Sequence, residues 1–222
     1  MNILGERIAL EAAYALLLFL WVIVVVRVVS RLLYQELRRR GKPHNVAVYY
    51  ARKFIHVMAG GLVALLVPYL FETPLLPLTL ALVLALATYL PHRTGSLMYW
   101  FQVPENMFEV HFCIMWGLTI TAAWLLLNDY WYGVLPVLFM AFGDAVTGIV
   151  RNAVYGRRTK AWVGNAAMAA VCVPLGWSVA GLAGALSGVV ASFIEHFELG
   201  PLDDNITIPL SSLLVLLALR SL

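Results

Sequence analysis

The sequence predicts an all-α fold: a polytopic transmembrane helical bundle of about eight spans, forming a single integral membrane domain over residues 1–222. Three observations predict it. Hydrophobic residues make up 62% of the chain and charged residues 12%, and the mean hydropathy is +0.85, well beyond what a water-soluble globular domain carries. The apolar residues fall in long runs, each near the ~20 residues that cross a bilayer. Laid out along alternating spans, the polar stretches between those runs collect on one side.

The first run, residues 8–29, is longer than a signal-peptide core and leads into Arg-rich sequence without a small-residue cleavage site, so it reads as a retained span. Further spans are expected at 54–71, 74–90, 108–127, 131–150, 163–179, 180–197 and 206–221. The pairs meeting at Glu72–Pro77 and at Trp177–Gly181 are so closely apposed that tight hairpins or broken helices fit there as well. Cys113 and Cys172 lie inside apolar runs and read as small buried hydrophobes.

The net charge of +3 matters less than where the fifteen Lys and Arg lie. An even span count puts Arg27, Arg31, Arg38 to Arg40, Lys42, Arg52, Lys53, Arg93, Arg151, Arg157, Arg158 and Lys160 on one face, with Arg7 and Arg220 opposite. By the positive-inside rule the rich face is cytoplasmic and both termini are on the non-cytoplasmic side. The polar segments 34–53, 91–106, 151–162 and 195–205 all fall on that inner face, whereas the outer connections are short. The absence of a cleavable targeting segment fits a prokaryotic plasma membrane, and no nucleic-acid partner is expected.

Asp144 sits inside the fifth span in Gly143-Asp144-Ala145-Val146-Thr147-Gly148, a costly place for an acid unless it is paired, metal-bound or in a wet cavity. Asp144, Gly148 and Arg151 recur at i, i+4 and i+7, so a carboxylate, a bare backbone patch and a guanidinium share one helix face; an ion pair within the helix or between helices is the plainer reading. No Lys-Ser/Thr follows and no strand precedes, which excludes a Walker A loop. Arg157, Arg158 and Lys160 follow as a basic cluster that suits either anionic headgroups or a phosphate-rich substrate. Arg52, His56 and Gly60 form another stripe, with Lys53 beside it. Glu195 and His196 end the seventh run. Asp203, Asp204 and Asn205 open the eighth, where Asp203 suits a helix cap and Asp204 with Asn205 suits a hard cation such as Mg²⁺. Glu105, Asn106, Glu109 and His111 are weaker candidates, expected at the water interface.

Taken in order, Arg52-Lys53-Phe54-Ile55-His56, Gly143 to Gly148, the basic loop through Lys160, and Glu195 followed by Asp204-Asn205-Ile206-Thr207-Ile208-Pro209 resemble the polyprenol kinase family, which includes dolichol kinase, phytol kinase and CTP-dependent diacylglycerol kinase. The resemblance implies a multi-span enzyme that transfers the terminal phosphate of a nucleoside triphosphate, typically CTP, to the hydroxyl of a lipid alcohol. One departure stands out: where that family commonly has Lys-Ser-x-Glu-Gly-Thr, this chain has Lys160-Ala161-Trp162-Val163-Gly164-Asn165, so Val163 replaces the Glu and its contact falls to Asn165 or elsewhere.

On that reading Asp144, Asp204 and Asn205 hold Mg²⁺, while Arg52, Lys53, Arg151, Arg157, Arg158, Lys160 and Asn165 bind the nucleotide phosphates. His56 or Glu195 orients or deprotonates an isoprenoid alcohol such as dolichol, polyprenol, geranylgeraniol or phytol arriving from the membrane lipid. Two other classes fit the same features: a membrane cytidylyltransferase making a CDP-activated lipid, and a small transporter or lipid-binding scaffold in which Asp144 and Glu195 pair with Arg52 or Arg151.

Overall fold

The computed structural model describes residues 3–156, 159–197 and 202–220. Its described residues are helical, apart from short turns and one isolated bridge between Val103 and Asn106. Six helices are long and apolar enough to cross a membrane: α1 (Gly5–Arg39), α2 (His44–Leu70), α3 (Leu75–Thr94), α4 (Phe108–Leu127), α5 (Trp131–Tyr155) and α6 (Trp162–Ile194). A shorter apolar helix, α7 (Asp204–Ala218), follows. Helices satisfy every backbone group within one segment, which is what a lipid environment demands.

Several helices overrun the apolar stretches that announce them. The first does not end at Val29 but runs to Arg39, and the second begins at His44 rather than at Phe54. Hydropathy marks where side chains meet lipid, whereas the backbone ladder continues until a breaker stops it. Here that breaker is the turn at Gly41 (φ +77°) followed by Pro43.

The centre of the bundle is α5: 78% of its most apolar window is buried, against 17% for α1. Helices α2, α4, α6 and α7 pack around it, and α1 and α3 complete the side formed by α2 and α4. Val134, Leu135, Val137, Leu138, Phe139 and Met140 of α5 are fully buried and meet Ile120, Met168, Ile208 and Leu216 from the surrounding helices. Two wide π-helical turns, His56–Gly61 in α2 and Phe139–Gly143 in α5, pack against each other immediately beside the polar end of the bundle. Such turns locally re-aim the side chains that flank them.

The helix α6 folds back on itself. Ala180 and Gly181 leave helical geometry, Gly181 at φ +54°, and the arms 162–179 and 182–194 run antiparallel. Gly176 and Gly184 face each other so closely that a Cβ on either would overlap the backbone of the other. Farther along, Cys172 meets Gly188, Asn165 meets Ser192, and the Trp162 ring stacks on His196 at 3.7 Å. Close backbone approach through small residues is the usual device for helix association where lipid removes the hydrophobic drive between helices. The hairpin carries Glu195 back to the level at which α6 began, next to the end of α5.

Gly184→Leu is therefore expected to lower the thermal unfolding midpoint in detergent sharply, with a cost above the about 1–3 kcal/mol of ordinary overpacking, because the added atoms meet backbone. Trp177→Leu, on the exposed turn side of the hairpin, is expected to leave the midpoint unchanged.

Candidate functional site

At one end of the bundle a cavity of about 740 Å³ is formed by the start of α2, the end of α5, the segment that joins α5 to α6, the close of the α6 hairpin and the start of α7. The polar segments that the sequence assigns to one face converge there. Arg52, Lys53, His56, Asp144, Arg151, Lys160, Glu195, Asp204 and Asn205 all line it. Asn165 does not: it stands behind the wall, accepting from Arg151 Nη2 at 2.7 Å and donating to Ser192 O at 2.6 Å and Glu195 Oε2 at 3.0 Å. Arg157 and Arg158 lie outside the described residues.

The charged groups form two connected knots. In the first, the Lys53 ammonium of α2 donates to the Asp144 carboxylate of α5, both side chains 7% exposed. In the second, Arg151 grips Glu195 with two parallel hydrogen bonds of 2.7 and 2.8 Å and reaches Ala161 O through Nε at 3.0 Å. Lys160 then joins Glu195 O at 2.6 Å, Glu195 Oε1 at 3.0 Å and Asp204 Oδ2 at 3.0 Å. Burial alone would push the Lys160 ammonium toward neutrality, but the carboxylates of Asp204 and Glu195 outweigh it and hold its pKa above the usual lysine range.

Asp144, Glu195 and Asp204 each offer one carboxylate oxygen, and the three oxygens lie within 4.8 Å of one another. Three like charges at that spacing repel strongly, and Lys53, Arg151 and Lys160 balance them one for one. Beside them Asn205, 3% exposed, donates from Nδ2 to Phe108 O at 3.2 Å while its Oδ1 has no hydrogen-bond partner among the described residues. A buried carbonyl oxygen without a donor, next to three converging carboxylates, is the ligand set that a hard divalent cation takes. Glu195 thus joins Asp144 and Asp204 in one acidic cluster, whereas the sequence had left it to catalysis. Asp203 is the N-cap of α7, accepting from Asn205 N at 3.0 Å, and its other oxygen meets His111 Nδ1 at 2.8 Å.

Sequence reasoning missed Tyr49. It extends the Arg52–His56 stripe by one turn toward the helix start, lines the cavity, and lies beneath the Arg52 and Lys53 cations at 5.7 and 5.3 Å. Its hydroxyl occupies the space a Cβ at Gly148 would fill, which explains the bare patch between Asp144 and Arg151. Arg52 also lies over Phe108 at 4.1 Å.

A second, apolar space adjoins the first. A furrow bounded by α1, α2, α3 and α4 is lined by side chains such as Val22, Ile55, Val63, Leu84 and Phe112, and it shares Arg52 and His56 with the polar cavity. Both Arg52 and Phe71 line it, so it follows α2 for nineteen residues, or about 28 Å at the usual helical rise, close to the hydrocarbon thickness of a bilayer. At the junction the His56 ring stacks on Phe112 at 4.1 Å, and neither of its nitrogens has a hydrogen-bond partner among the described residues. The ionic, oxygen-rich pocket of about 740 Å³ and the narrower apolar furrow of about 140 Å³ thus share one imidazole in their walls.

No family model, curated protein or solved structure matches the chain.

Lys53→Met is expected to destabilise the protein by about 3–5 kcal/mol because it strands the Asp144 charge. The double variant Lys53→Met/Asp144→Asn should recover most of that loss, as read from thermal unfolding in detergent.

Proposed function

We propose that this protein is a membrane kinase that transfers the terminal phosphate of a nucleoside triphosphate, CTP first among the candidates, to the hydroxyl of an isoprenoid alcohol. The observation that carries the reading is the junction at Arg52 and His56, where a pocket suited to phosphates and a divalent cation opens into a furrow suited to an apolar chain. The ordered resemblance of the polar segments to the polyprenol kinase family supports it independently.

Counting the two arms of α6 separately, the reading has eight spans with both termini outside and the polar cavity facing the cytoplasm, in a prokaryotic plasma membrane. Mg²⁺ held by Asp144, Glu195, Asp204 and Asn205 would supply charge neutralisation on the phosphates. Lys53 and Lys160 touch those carboxylates and so stand within reach of the phosphate oxygens that a cation held there would neutralise. Arg52 adds a fixed positive charge at the mouth of the furrow. Arg151 and Asn165 do not act on substrate in this scheme: both are spent on orienting Glu195.

The base is His56. Glu195 has both oxygens committed to Arg151, with Lys160 and Asn165 as further donors, and it ends the hairpin away from the furrow. His56 has both nitrogens open, a ring plane fixed by Phe112, and a place on the walls of both spaces. It accepts the proton of the alcohol as the oxygen attacks the terminal phosphorus and the nucleoside diphosphate leaves.

The test is incubation of purified protein with γ-labelled CTP, Mg²⁺ and a panel of polyprenol, geranylgeraniol, phytol and diacylglycerol. Label is expected in a lipid monophosphate, lost on chelation of Mg²⁺ and reduced at least about a thousandfold in Asp144→Asn, while His56→Ala falls about 10²–10⁴-fold. Failure of every acceptor with both CTP and ATP would sink the reading, and release of pyrophosphate in place of the nucleoside diphosphate would replace it with cytidylyl transfer.

A further inference from the structure

The apolar furrow has one buried acid. Glu109, in the first turn of α4, is 6% exposed and lines the furrow at the same end as Arg52 and His56. The sequence places it at the water interface, but the structure buries it. Its Oε1 is saturated, accepting from Gln102 Nε2 at 2.6 Å and pairing with His92 Nε2 at 2.6 Å. Gln102 is itself pinned, donating to Thr88 O at 2.9 Å and accepting from Met98 N at 2.8 Å. Glu109 Oε2, by contrast, is buried without a hydrogen-bond partner among the described residues.

A network built from two helices and the segment between them thus holds one carboxylate rigidly and leaves its other oxygen, itself buried, without a hydrogen bond among the described residues, on a side chain that lines a mostly apolar furrow. Leaving a buried acceptor empty is costly, and supplying a donor relieves that cost. The occupant that fits has a long apolar chain, which the furrow's length and lining require, and a hydrogen-bond donor at its head, which Oε2 requires.

We infer that Glu109 receives the hydroxyl of a long-chain alcohol in the furrow, selecting a free alcohol over its ethers and esters. That this alcohol is then the phosphate acceptor rests on the kinase reading; the hydrogen bond itself does not. Glu109 is a specificity-determining residue here: its network sets where the hydroxyl waits in the furrow that His56 also lines.

The experiment measures binding of labelled geranylgeraniol to the full chain in detergent without nucleotide, with geranylgeranyl methyl ether as the competing probe. The wild type is expected to prefer the alcohol by about tenfold or more, the worth of one good hydrogen bond to a charged group. Glu109→Gln is expected to reduce that preference to within about twofold, chiefly by raising the ether's affinity, since the amide offers a donor to either head. Should Glu109→Gln fail to fold, Glu109→Asp keeps the charge but withdraws the oxygens, and it must flatten the preference in the same way. Equal binding of alcohol and ether by the wild type, or a preference that survives in the variant, overturns the inference. The same preparations are assayed for phosphate transfer. A Glu109-dependent preference without transfer from CTP or ATP leaves the alcohol site standing and removes the kinase; transfer without that preference does the reverse.

Discussion

Neutralisation of buried charge at one end of the bundle is the constraint on which the rest of the architecture hangs. Asp144, Glu195 and Asp204 come together in a low-dielectric place where any one of them alone would be expensive, and three cations from three different parts of the chain make the gathering tolerable. Each pairing is also a stitch. Lys53 with Asp144 ties α2 to α5, Arg151 with Glu195 ties α5 to the far arm of α6, and Lys160 ties that arm to the start of α7. Between helices in lipid there is little hydrophobic drive, so polar contacts and close packing carry more of the burden of association. Here they are concentrated where the helices must also be positioned most accurately.

The glycines serve the same end by geometry. The return of the α6 hairpin depends on Gly176 and Gly184 meeting backbone to backbone, and only that return lets Glu195 reach an arginine forty-four residues earlier in the chain. Gly148 leaves room for Tyr49, whose ring then underlies two cations. Neither contact adds much binding energy by itself. Both fix the distance between helices at the level of the cavity, so the charged network keeps one arrangement instead of several.

The fold class and the grouping of the polar segments were legible in the sequence because they depend on composition and period, which are local properties. The stripe Asp144, Gly148, Arg151 was readable for the same reason: three residues on one helix face are fixed by 3.6-residue geometry alone. What the sequence did not disclose is which faces meet. Lys53 and Asp144 are ninety-one residues apart, and nothing in either neighbourhood names the other. Glu195 read as a possible base because its isolation on a span end hides the four donors that the hairpin brings to it. Asn165, read as a phosphate contact, lies behind the wall for the same reason. Glu109 misled in the opposite direction: an acid in the first turn of a span reads as solvated until Gln102 and His92 are seen folded over it. Helix ends were misplaced wherever the backbone ladder outlasted the apolar stretch, as at Arg39 and His44.

The unsatisfied polar atoms argue that this end of the bundle is built to receive something. Among the described residues seven buried side-chain nitrogens and oxygens lack a partner, and five of them, on His56, Asn106, Glu109 and Asn205, belong to residues that line the two spaces. Thr121 and Tyr130 are the others. In a structure optimised only for stability such atoms should be rare and scattered, because each costs about 1–3 kcal/mol. Their concentration along the path from the ionic pocket to the apolar furrow has a chemical order as well: an amide oxygen beside the carboxylates, an imidazole at the junction, a carboxylate oxygen in the furrow. Read from pocket to furrow, that is an acceptor for a cation, a group that can take a proton, and an acceptor for a hydroxyl. Hydrogen-bonding capacity held in reserve in that sequence, inside a scaffold whose other charges are paired so thoroughly, is the physical form that preorganisation takes before a substrate arrives.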